Sequence, residues 1–337
     1  MTTKEKIKQI LINNQGHYIS GEEIAQNIHT TRACVWKNIK SLESEGLLID
    51  AVTNKGYRLQ CPTDAPNASA IEKTLNEKGL NISVEYFDEV TSTNELLKEY
   101  AKTNHNEKII IAGLQTAGKG RKGRNFYSPM GTGLYFSILL FPNDKLDKIV
   151  NITAMTAVAT ALALDEVVFN GEDTTLIKWV NDVYINDKKI SGILTEGYSS
   201  FESSEDNYIV IGIGINLYPP TDDFPKDIKD KAGWAIDTPI LDKNIATIKS
   251  ELVTKITETV MRYYDLSKAG IANPDNCLTI YRNKSSLIGS YVKINHFDGN
   301  YTYARVIGIS DDYHLIVEYD DKSTEELSSG EVSVVKY

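Results

Sequence analysis

The 337-residue sequence is short of cysteine, histidine and long apolar runs, and each shortage excludes a class of protein. Its three cysteines lie far apart without a C-x-x-C spacing, which argues against a disulfide framework or a zinc site. Its five histidines are scattered, and no G-x-S-x-G or H-E-x-x-H motif is present. The first residues hold no apolar signal region, and no apolar run reaches membrane-spanning length. We therefore expect a cytoplasmic protein without a membrane partner.

Positive charge is also in the minority, because 36 Lys and Arg stand against 46 Asp and Glu, for a net charge of −10. One segment reverses this balance. Residues 115–124, with the sequence QTAGKGRKGR, hold four cations, three glycines and no acid. Glycine lets the backbone approach a ligand, and arginine supplies paired donors for phosphate or carboxylate. We interpret this segment, the basic loop, as a phosphate-binding loop; a solvated hairpin tip is the alternative.

The flanks of the basic loop exclude two common phosphate-binding motifs. Its glycines fit G-x-G-x-x-G, but residues 134–140 predict a strand where a dinucleotide-binding turn would open a helix. The spacing G-x-x-x-x-G-K from Gly113 also fits, yet Gly120 stands where a P-loop needs a Ser or Thr hydroxyl.

Residues 1–60 differ in charge from the rest of the chain, since they carry eight Lys and Arg and six Asp and Glu. Ser20 and Glu23 predict a capping box, and Thr31 predicts the cap of a second helix from residue 32 to about residue 45. Two short helices followed by a hairpin over residues 47–60 predict a winged helix-turn-helix. The expected DNA contacts are Ser20, Thr31, Arg32, Trp36, Lys37, Lys40, Lys55 and Arg58. A helix-turn-helix used only for protein contacts is the alternative.

The remaining sequence predicts a linker and two further domains. Residues 61–70 contain two prolines and small polar residues, which favour a linker. Residues 71–285 mix strands at 176–185, 190–196 and 208–216 with helices at 151–169 and 243–266. Residues 286–337 hold short alternating strands at 291–295, 301–309, 315–319 and 332–335, which predict a small β-barrel. The predicted fold class is α+β and multidomain, with a mixed-sheet α/β central domain.

Four segments, taken in this order and spacing, resemble the biotin protein ligase family. They are STN at 92–94, the basic loop, KWVND at 178–182 with KKISG at 188–192, and GIGIN at 212–216. With the helix-turn-helix in front, nearly the whole chain resembles the bifunctional form that also represses biotin genes. The resemblance implies a class II synthetase-like central domain and an SH3-like C-terminal barrel.

The resemblance also implies roles for particular residues, with Arg121 and Lys189 as the catalytic cations. The implied biotin-binding residues are Ser92, Thr93, Asn94, Gln115, Lys119, Gly120, Arg121, Lys189, Gly192 and Gly214. The implied nucleotide-binding residues are Arg121, Arg124, Phe126, Asn181 and Asn216. Asn181 and Asp182 are candidates either for Mg²⁺, Asp182 above all, or for a structural hydrogen-bond network. Plainer alternatives stay open: the STN segment as a helix cap, Gln115 as an edge-strand residue, and Lys189 as a turn lysine.

Three positions depart from the family's common pattern. Lys119, Phe126 and Val180 stand where many relatives have Arg, Trp and Pro. Lysine keeps the charge but loses the paired donors, and phenylalanine can stack but has no indole N–H. Nucleotide affinity is therefore the property that these departures put in question.

The activity that the resemblance implies is biotin activation by ATP, with Mg²⁺, followed by biotin transfer to a lysine of a biotin carboxyl carrier domain. It further implies that biotinyl-adenylate drives a homodimer onto operator DNA with an inverted repeat. A lipoate or octanoate ligase and a biotin-sensing repressor without catalysis are the alternatives.

Overall fold

The computed structural model describes residues 2–14, 18–44, 49–53, 55–59, 64–142, 149–199, 207–220, 223–237, 244–271, 273–295, 300–328 and 331–335. The chain forms two compact units, Met1–Asp64 and Ala65–Tyr337. Among the described residues, no helix is both long and apolar enough to span a bilayer.

The first unit contains three helices and a β-hairpin, as the sequence predicts. The predicted caps form: Glu23 N donates to Ser20 Oγ at 3.0 Å, and Cys34 N donates to Thr31 Oγ1 at 3.2 Å. The elements are α1 (Thr3–Asn13), α2 (Gly21–Asn27), α3 (Arg32–Ser44), β1 (Ile49–Val52) and β2 (Gly56–Leu59). Residues 45–48, 54 and 60, which belong to the predicted wing and its approach, lie outside the described residues. One face of α3 enters the core through Val35, Ile39 and Leu42, which are at most 1% exposed.

A helix begins inside the segment that the sequence predicts as a linker. Helix α4 (Ala68–Glu77) starts after Asn67, whose Oδ1 accepts from Ala70 N at 3.0 Å. Asparagine is a good N-cap and alanine the best helix former, so the polar, small-residue composition indicates a helix start here as well as a loop. Residues 61–63 lie outside the described part of the chain.

The second unit is built on a seven-stranded mixed sheet. Its strand order is β3-β4-β5-β9-β8-β7-β6; β3 and β4 are parallel, and the other neighbours are antiparallel. The strands are β3 (Ser83–Val90), β4 (Lys108–Gln115), β5 (Gly133–Leu140), β6 (Leu176–Lys178), β7 (Asp182–Ile185), β8 (Lys188–Tyr198) and β9 (Tyr208–Asn216). Helix α5 (Thr93–Ala101) packs on one face, while α6 (Ile149–Val167) and α7 (Ile245–Lys268) pack with each other in the main core.

The single strand predicted over residues 176–185 is wrong. The segment folds back on itself as the antiparallel pair β6 and β7, joined by a turn at residues 179–181. Two distant groups hold this turn, since Trp179 Nε1 donates to Tyr313 O at 2.8 Å and Tyr281 Oη donates to Val180 O at 3.2 Å. Tertiary hydrogen bonds therefore override the local strand pattern.

The C-terminal strands form an antiparallel sheet that is open. Its order is β13-β12-β11-β10-β14, and in the described residues the edge strands β13 and β14 pair with no further strand, so the predicted closed barrel is not confirmed. The strands are β10 (Tyr291–Asn295), β11 (Tyr301–Ile309), β12 (Leu315–Glu318), β13 (Thr324–Leu327) and β14 (Glu331–Val334), preceded by α8 (Cys277–Asn283). The prediction misses β13, because three of its four residues are exposed and polar, as suits an edge strand. Buried residues of this sheet belong to the same core as α6.

Candidate functional sites

A cavity of about 710 Å³ opens in the second unit, and it gathers segments that are far apart in the chain. Every residue that the sequence assigns to the ligase site lines it: Ser92, Thr93, Asn94, Gln115, Lys119, Gly120, Arg121, Arg124, Phe126, Asn181, Asp182, Lys189, Gly192, Gly214 and Asn216. The structure thus brings the predicted residues together, while their separate roles stay predictions.

A chain of uncharged hydrogen-bonding groups, buried except for half-buried Gln115, runs along part of the cavity. Thr93 N donates to Gln115 Oε1 at 3.0 Å, Thr93 Oγ1 lies 2.6 Å from Ser137 Oγ, and Ser137 Oγ donates to Asn94 Oδ1 at 2.6 Å. Ser92 stands at the start of α5, but its side chain makes no capping bond. The helix-cap interpretation of these residues therefore has no support, and the site suits a neutral ligand of amide-like polarity.

The sequence analysis did not predict Ser137, which belongs to this chain, or Glu196, a carboxylate that contacts the chain and is paired with Lys98. Ser137 is wholly buried, and Glu196 Oε2 accepts from Asn94 Nδ2 at 2.7 Å. Ser137 did leave a signal, since it is a small polar side chain in the buried and otherwise aliphatic or aromatic strand GLYFSILL. Glu196 left none, because its contact depends on how β8 lies against α5.

Two glycines of β9 leave room for cavity residues. A Cβ on Gly212 would lie 2.3 Å from Asn94 Oδ1, and one on Gly214 would lie 2.4 Å from a ring carbon of Phe126. Any larger residue at these two positions would displace a side chain of the cavity.

Cations also line the cavity, and the basic loop supplies most of them. The loop is closed by two backbone bonds, from Gly120 N to Arg124 O at 2.7 Å and from Phe126 N to Gly118 O at 2.8 Å. Lys119 Nζ lies 2.7 Å from Glu95 Oε1, at the first turn of α5. The hydrogen bond from Lys119, followed by that from Lys98, holds the pKa of Glu95 below its ordinary value.

The backbone of Lys189 is hydrogen-bonded to residues far from its own turn. Its N–H donates to Lys231 O and its carbonyl accepts from Gly233 N, both at 2.8 Å. Its Nζ lies 2.7 Å from Asp182 Oδ1, so the two side chains form an ion pair. The angle of this contact is not that of a hydrogen bond, and the buried Oδ1 receives none. This arrangement places the ammonium group at the cavity wall and argues against an ordinary turn lysine.

The amides of Asn181 and Asn216 both contact protein groups. Asn181 Oδ1 accepts from Arg121 Nη1 at 2.9 Å, while Asn216 Nδ2 donates to Gly233 O at 3.0 Å. Each amide keeps hydrogen-bonding capacity beyond these bonds, because its oxygen has two lone pairs and its nitrogen two N–H groups. Asn181 thus takes part in a hydrogen-bond network, and its predicted contact with a nucleotide or Mg²⁺ stays a prediction.

Metal ligands are few around this cavity. Across the described segments, no cluster of three or more His, Cys, Asp or Glu is arranged to hold a metal. Besides exposed Asp227, the carboxylate that lines the cavity is half-buried Asp182, which is paired with Lys189. It suits a Mg²⁺ bound mainly by substrate phosphates and water, and not a cage of protein ligands.

A segment after β9 covers part of the cavity and was not predicted to do so. Phe224, Ile228 and Lys231 line the cavity. The Phe224 ring stacks on Trp234 at 6.2 Å and meets the edge of Tyr127 at 6.3 Å, so it links this segment to the residues that follow the basic loop.

The first unit displays a basic, aromatic helix face. On α3, Trp36 is 56% exposed and Arg32, Lys37 and Lys40 are also exposed; Lys40 pairs with Glu43 at 2.6 Å. Ser20 and Thr31 serve as caps, Lys55 is exposed at the wing tip, and Arg58 is paired with Asp50 and lies 4.6 Å from the ring centroid of Tyr18. The four α3 residues and Lys55 are thus accessible, whereas Arg58 is engaged within the wing.

Comparison with known proteins agrees with both units. The model of the biotin/lipoate A/B protein ligase family matches residues 86–216, and that of an HTH domain matches residues 3–58. The bifunctional ligase/repressor BirA of Bacillus subtilis is 30% identical over 330 residues, covering 95% of each chain. That of Bacillus spizizenii is 35% identical over 234 residues, covering 68% of this chain and 70% of its own.

A solved structure, the biotin protein ligase from Aquifex aeolicus in complex with biotin and ATP, is 26% identical with a TM-score of 0.58. It matches 75% of this chain and 99% of its own. The two-unit organisation, the cavity and the full-length similarity lead to one conclusion. The chain belongs to the biotin/lipoate A/B protein ligase family, in its bifunctional ligase/repressor form.

Proposed function

We propose that the protein activates biotin with ATP, transfers it to a lysine of a biotin carboxyl carrier domain, and represses biotin genes through its helix-turn-helix. The observation that carries the enzymatic part is that neutral, amide-like groups and cations line the same cavity. A ureido ring suits the neutral groups, and a carboxylate meeting a triphosphate suits the cations. The matching ligase structure holds biotin and ATP, which supports the same pair of substrates.

The chemistry needs no protein nucleophile. A biotin carboxylate oxygen attacks the α-phosphorus of ATP, the bond to pyrophosphate breaks, and a mixed anhydride forms. A carrier lysine amine then attacks the acyl carbon and AMP leaves. Negative charge develops on oxygens in both steps, so positioned cations are the main requirement. Arg121 and Lys189 fill this role, with Lys189 near the carboxylate and α-phosphate and Arg121 on the phosphates. Mg²⁺ would neutralise phosphate charge, with Asp182 as its protein ligand.

Pyrophosphate exchange into ATP tests this proposal, because it reports adenylate formation alone. We expect exchange with biotin and much less with lipoate or octanoate. Preference for lipoate or octanoate would make the chain a ligase of that type. Binding of biotin without any exchange would leave a biotin sensor that lacks catalysis.

For the regulatory part, we propose that α3 enters the major groove of an operator with an inverted repeat. Exposed Arg32, Trp36, Lys37 and Lys40 support this, and the low charge of one unit calls for two copies. Titration of DNA carrying one or two half-sites, with and without biotinyl-adenylate, checks it. Equal affinity for both DNAs would contradict dimeric binding. We also propose a cytoplasmic location, where both ATP and carrier domains are present.

A further inference from the structure

Glu196 contacts the uncharged hydrogen-bonding chain but does not line the cavity itself. Its Oε2 accepts from Asn94 Nδ2 at 2.7 Å, and its Oε1 lies 2.6 Å from Lys98 Nζ. The side chains of Glu196 and Lys98 are 29% and 25% exposed, so this ion pair is half-buried. Of the two partners, Asn94 is the one that lines the cavity. The hydrogen bonds of Glu196 therefore reach a bound ligand through Asn94.

The carboxylate of Glu196 decides which way the Asn94 amide points. An ionised carboxylate only accepts hydrogen bonds, so the amide turns its nitrogen to Glu196 and its oxygen to the other side. The same nitrogen also reaches Leu194 O, but at 3.4 Å this is the longer and weaker bond. On the other side, Asn94 Oδ1 lies 2.6 Å from Ser137 Oγ. An amide oxygen also only accepts, so the single hydroxyl proton of Ser137 is directed at Asn94.

The direction that is set at Asn94 continues to Thr93. Ser137 Oγ and Thr93 Oγ1 lie 2.6 Å apart, and because the Ser137 proton is used at Asn94, Thr93 is the donor in this contact. The Thr93 hydroxyl then has only lone pairs left for the cavity. Gln115 Oε1 lies 3.2 Å from Thr93 Oγ1 and accepts from Thr93 N at 3.0 Å. Two acceptor oxygens thus stand side by side, and a ligand N–H between them would satisfy both.

We infer that Glu196 is a positioning residue that sets the direction of the uncharged hydrogen-bonding chain, so that Thr93 and Gln115 present acceptors to the cavity and select a ligand by its N–H groups. Lys98 holds the carboxylate in place for this role. The inference rests on the proposed function, because the N–H groups of biotin's ureido ring are the donors that these acceptors would bind. A site built to bind an N–H discriminates against an analogue that lacks it.

Glu196→Gln should reverse the chain. Lys98 only donates, so it takes the oxygen of the new amide, and the nitrogen of that amide then faces Asn94. Asn94 must turn its own oxygen to this nitrogen, and its Nδ2 then donates to Ser137. The Ser137 proton moves to the contact with Thr93, and the Thr93 proton is freed for the cavity side.

The test compares biotin with its two cyclic-carbamate analogues, in each of which oxygen replaces one ring N–H, by isothermal titration of the full chain without ATP. The analogue that sets oxygen against Thr93 and Gln115 should bind the wild type at least about tenfold more weakly than biotin, since buried acceptors stay unsatisfied. In Glu196→Gln, biotin should lose about tenfold and this analogue little, so that the two affinities come within about threefold of each other.

Glu258→Gln is the matched control. The Glu258 side chain is 23% exposed and lies 2.6 Å from Lys78 Nζ, so the variant also removes a half-buried carboxylate from a lysine. Glu258 does not line the cavity, and we expect the wild-type preference for biotin over the analogue. An equal fall of the preference in Glu196→Gln and Glu258→Gln would overturn the inference, because a general loss of stability would then explain both.

Ser137→Ala interrupts the chain from the other side and serves if Glu196→Gln does not fold. It leaves the contacts of Glu196 with Asn94 and Lys98 in place and frees the Thr93 proton, so the preference for biotin should again fall to within about threefold. An unchanged preference in either variant would overturn the inference, as would equal binding of biotin and both analogues by the wild type. Failure of the wild type to bind biotin at all would instead contradict the proposed function.

Discussion

Lys189 and its neighbour Lys188 are adjacent in sequence but differ in what their side chains contact. Lys189 Nζ lies beside Asp182 at the cavity wall, whereas Lys188 Nζ donates to Asp230 O at 2.7 Å and does not line the cavity. We expect Lys189→Ala to lower pyrophosphate exchange by about 10²–10³, as loss of a fixed donor to a developing oxyanion does. Lys188→Ala is the matched control and should stay near the wild-type rate. A loss for Lys189→Ala of less than about fivefold, set against that scale, would support the interpretation of Lys189 as an ordinary turn lysine.

Glu95 pairs with Lys119 and so connects the basic loop to the first turn of α5. Both side chains are more than 40% exposed, and exposed pairs contribute about 0.2–1 kcal/mol. We therefore expect Glu95→Gln to speed adenylate release by about two- to fivefold at low salt, with the effect shrinking at high salt. Glu99→Gln removes an exposed pair with Lys102 on the same helix and is the control.

The pH dependence of this pair follows from the lowered pKa of Glu95, which Lys119 and then Lys98 cause. The pair is complete above the ordinary carboxyl pKa and is lost as pH falls through the lowered value. Wild-type and Glu95→Gln release rates should therefore converge in acid. A salt-independent difference, or one that grows as pH falls, would contradict the electrostatic account.

Elements with strong local signals could be predicted, and elements decided by distant partners could not. The caps at Ser20 and Thr31 follow from residues three apart, so α2 and α3 begin where the sequence predicts. The hairpin of β6 and β7 escaped prediction because its turn depends on Tyr281 and Tyr313, more than 100 residues away. The site shows the same division. Motif residues were placed in one cavity, whereas the contacts of Glu95 and Glu196 depend on packing that no local pattern encodes.

Lys284 connects three elements inside the second unit. It is 5% exposed, and its Nζ donates to Asp165 Oδ2 at 2.6 Å and to Thr175 O at 3.2 Å, and also pairs with Asp173. Removing one partner of a buried ion pair leaves a buried charge uncompensated. We expect Lys284→Ala to lower the free energy of unfolding by about 3–5 kcal/mol.

The neighbouring pair between Lys255 and Glu166 supplies the control, because its side chains are 37% and 64% exposed. Lys255→Ala should cost less than about 1 kcal/mol by urea denaturation. Equal losses for the two lysine variants would show that burial of the Lys284 cluster contributes nothing extra.

At the scale of the whole molecule, the region proposed to bind DNA and the region proposed to bind substrates differ in net charge. Residues 1–60 are near +2 and the remainder near −12, so DNA attraction is confined to the first unit while the chain as a whole repels DNA. One copy of α3 with four exposed contact residues is therefore a weak binder. Two copies on an inverted repeat double the contacts, and operator affinity then depends on the dimerisation constant.

Coupling between adenylate and the dimer is the last prediction. Arg121 and Lys119 contact Asn181 and Glu95, and the phosphate oxygens of a bound adenylate would add to these contacts. A ligand that changes the state of the basic loop can change the free energy of association without adding contacts. Linkage then requires reciprocity, so dimerisation must tighten adenylate binding by the same factor by which adenylate tightens dimerisation. Sedimentation equilibrium with and without adenylate, together with adenylate titration at low and high protein concentration, measures both factors. We expect each to be about 5–150-fold, and to fall together in Arg121→Ala. A monomer–dimer constant that adenylate leaves unchanged would still allow a ligase and a DNA-binding protein, but it would exclude a biotin-responsive switch that works through dimerisation.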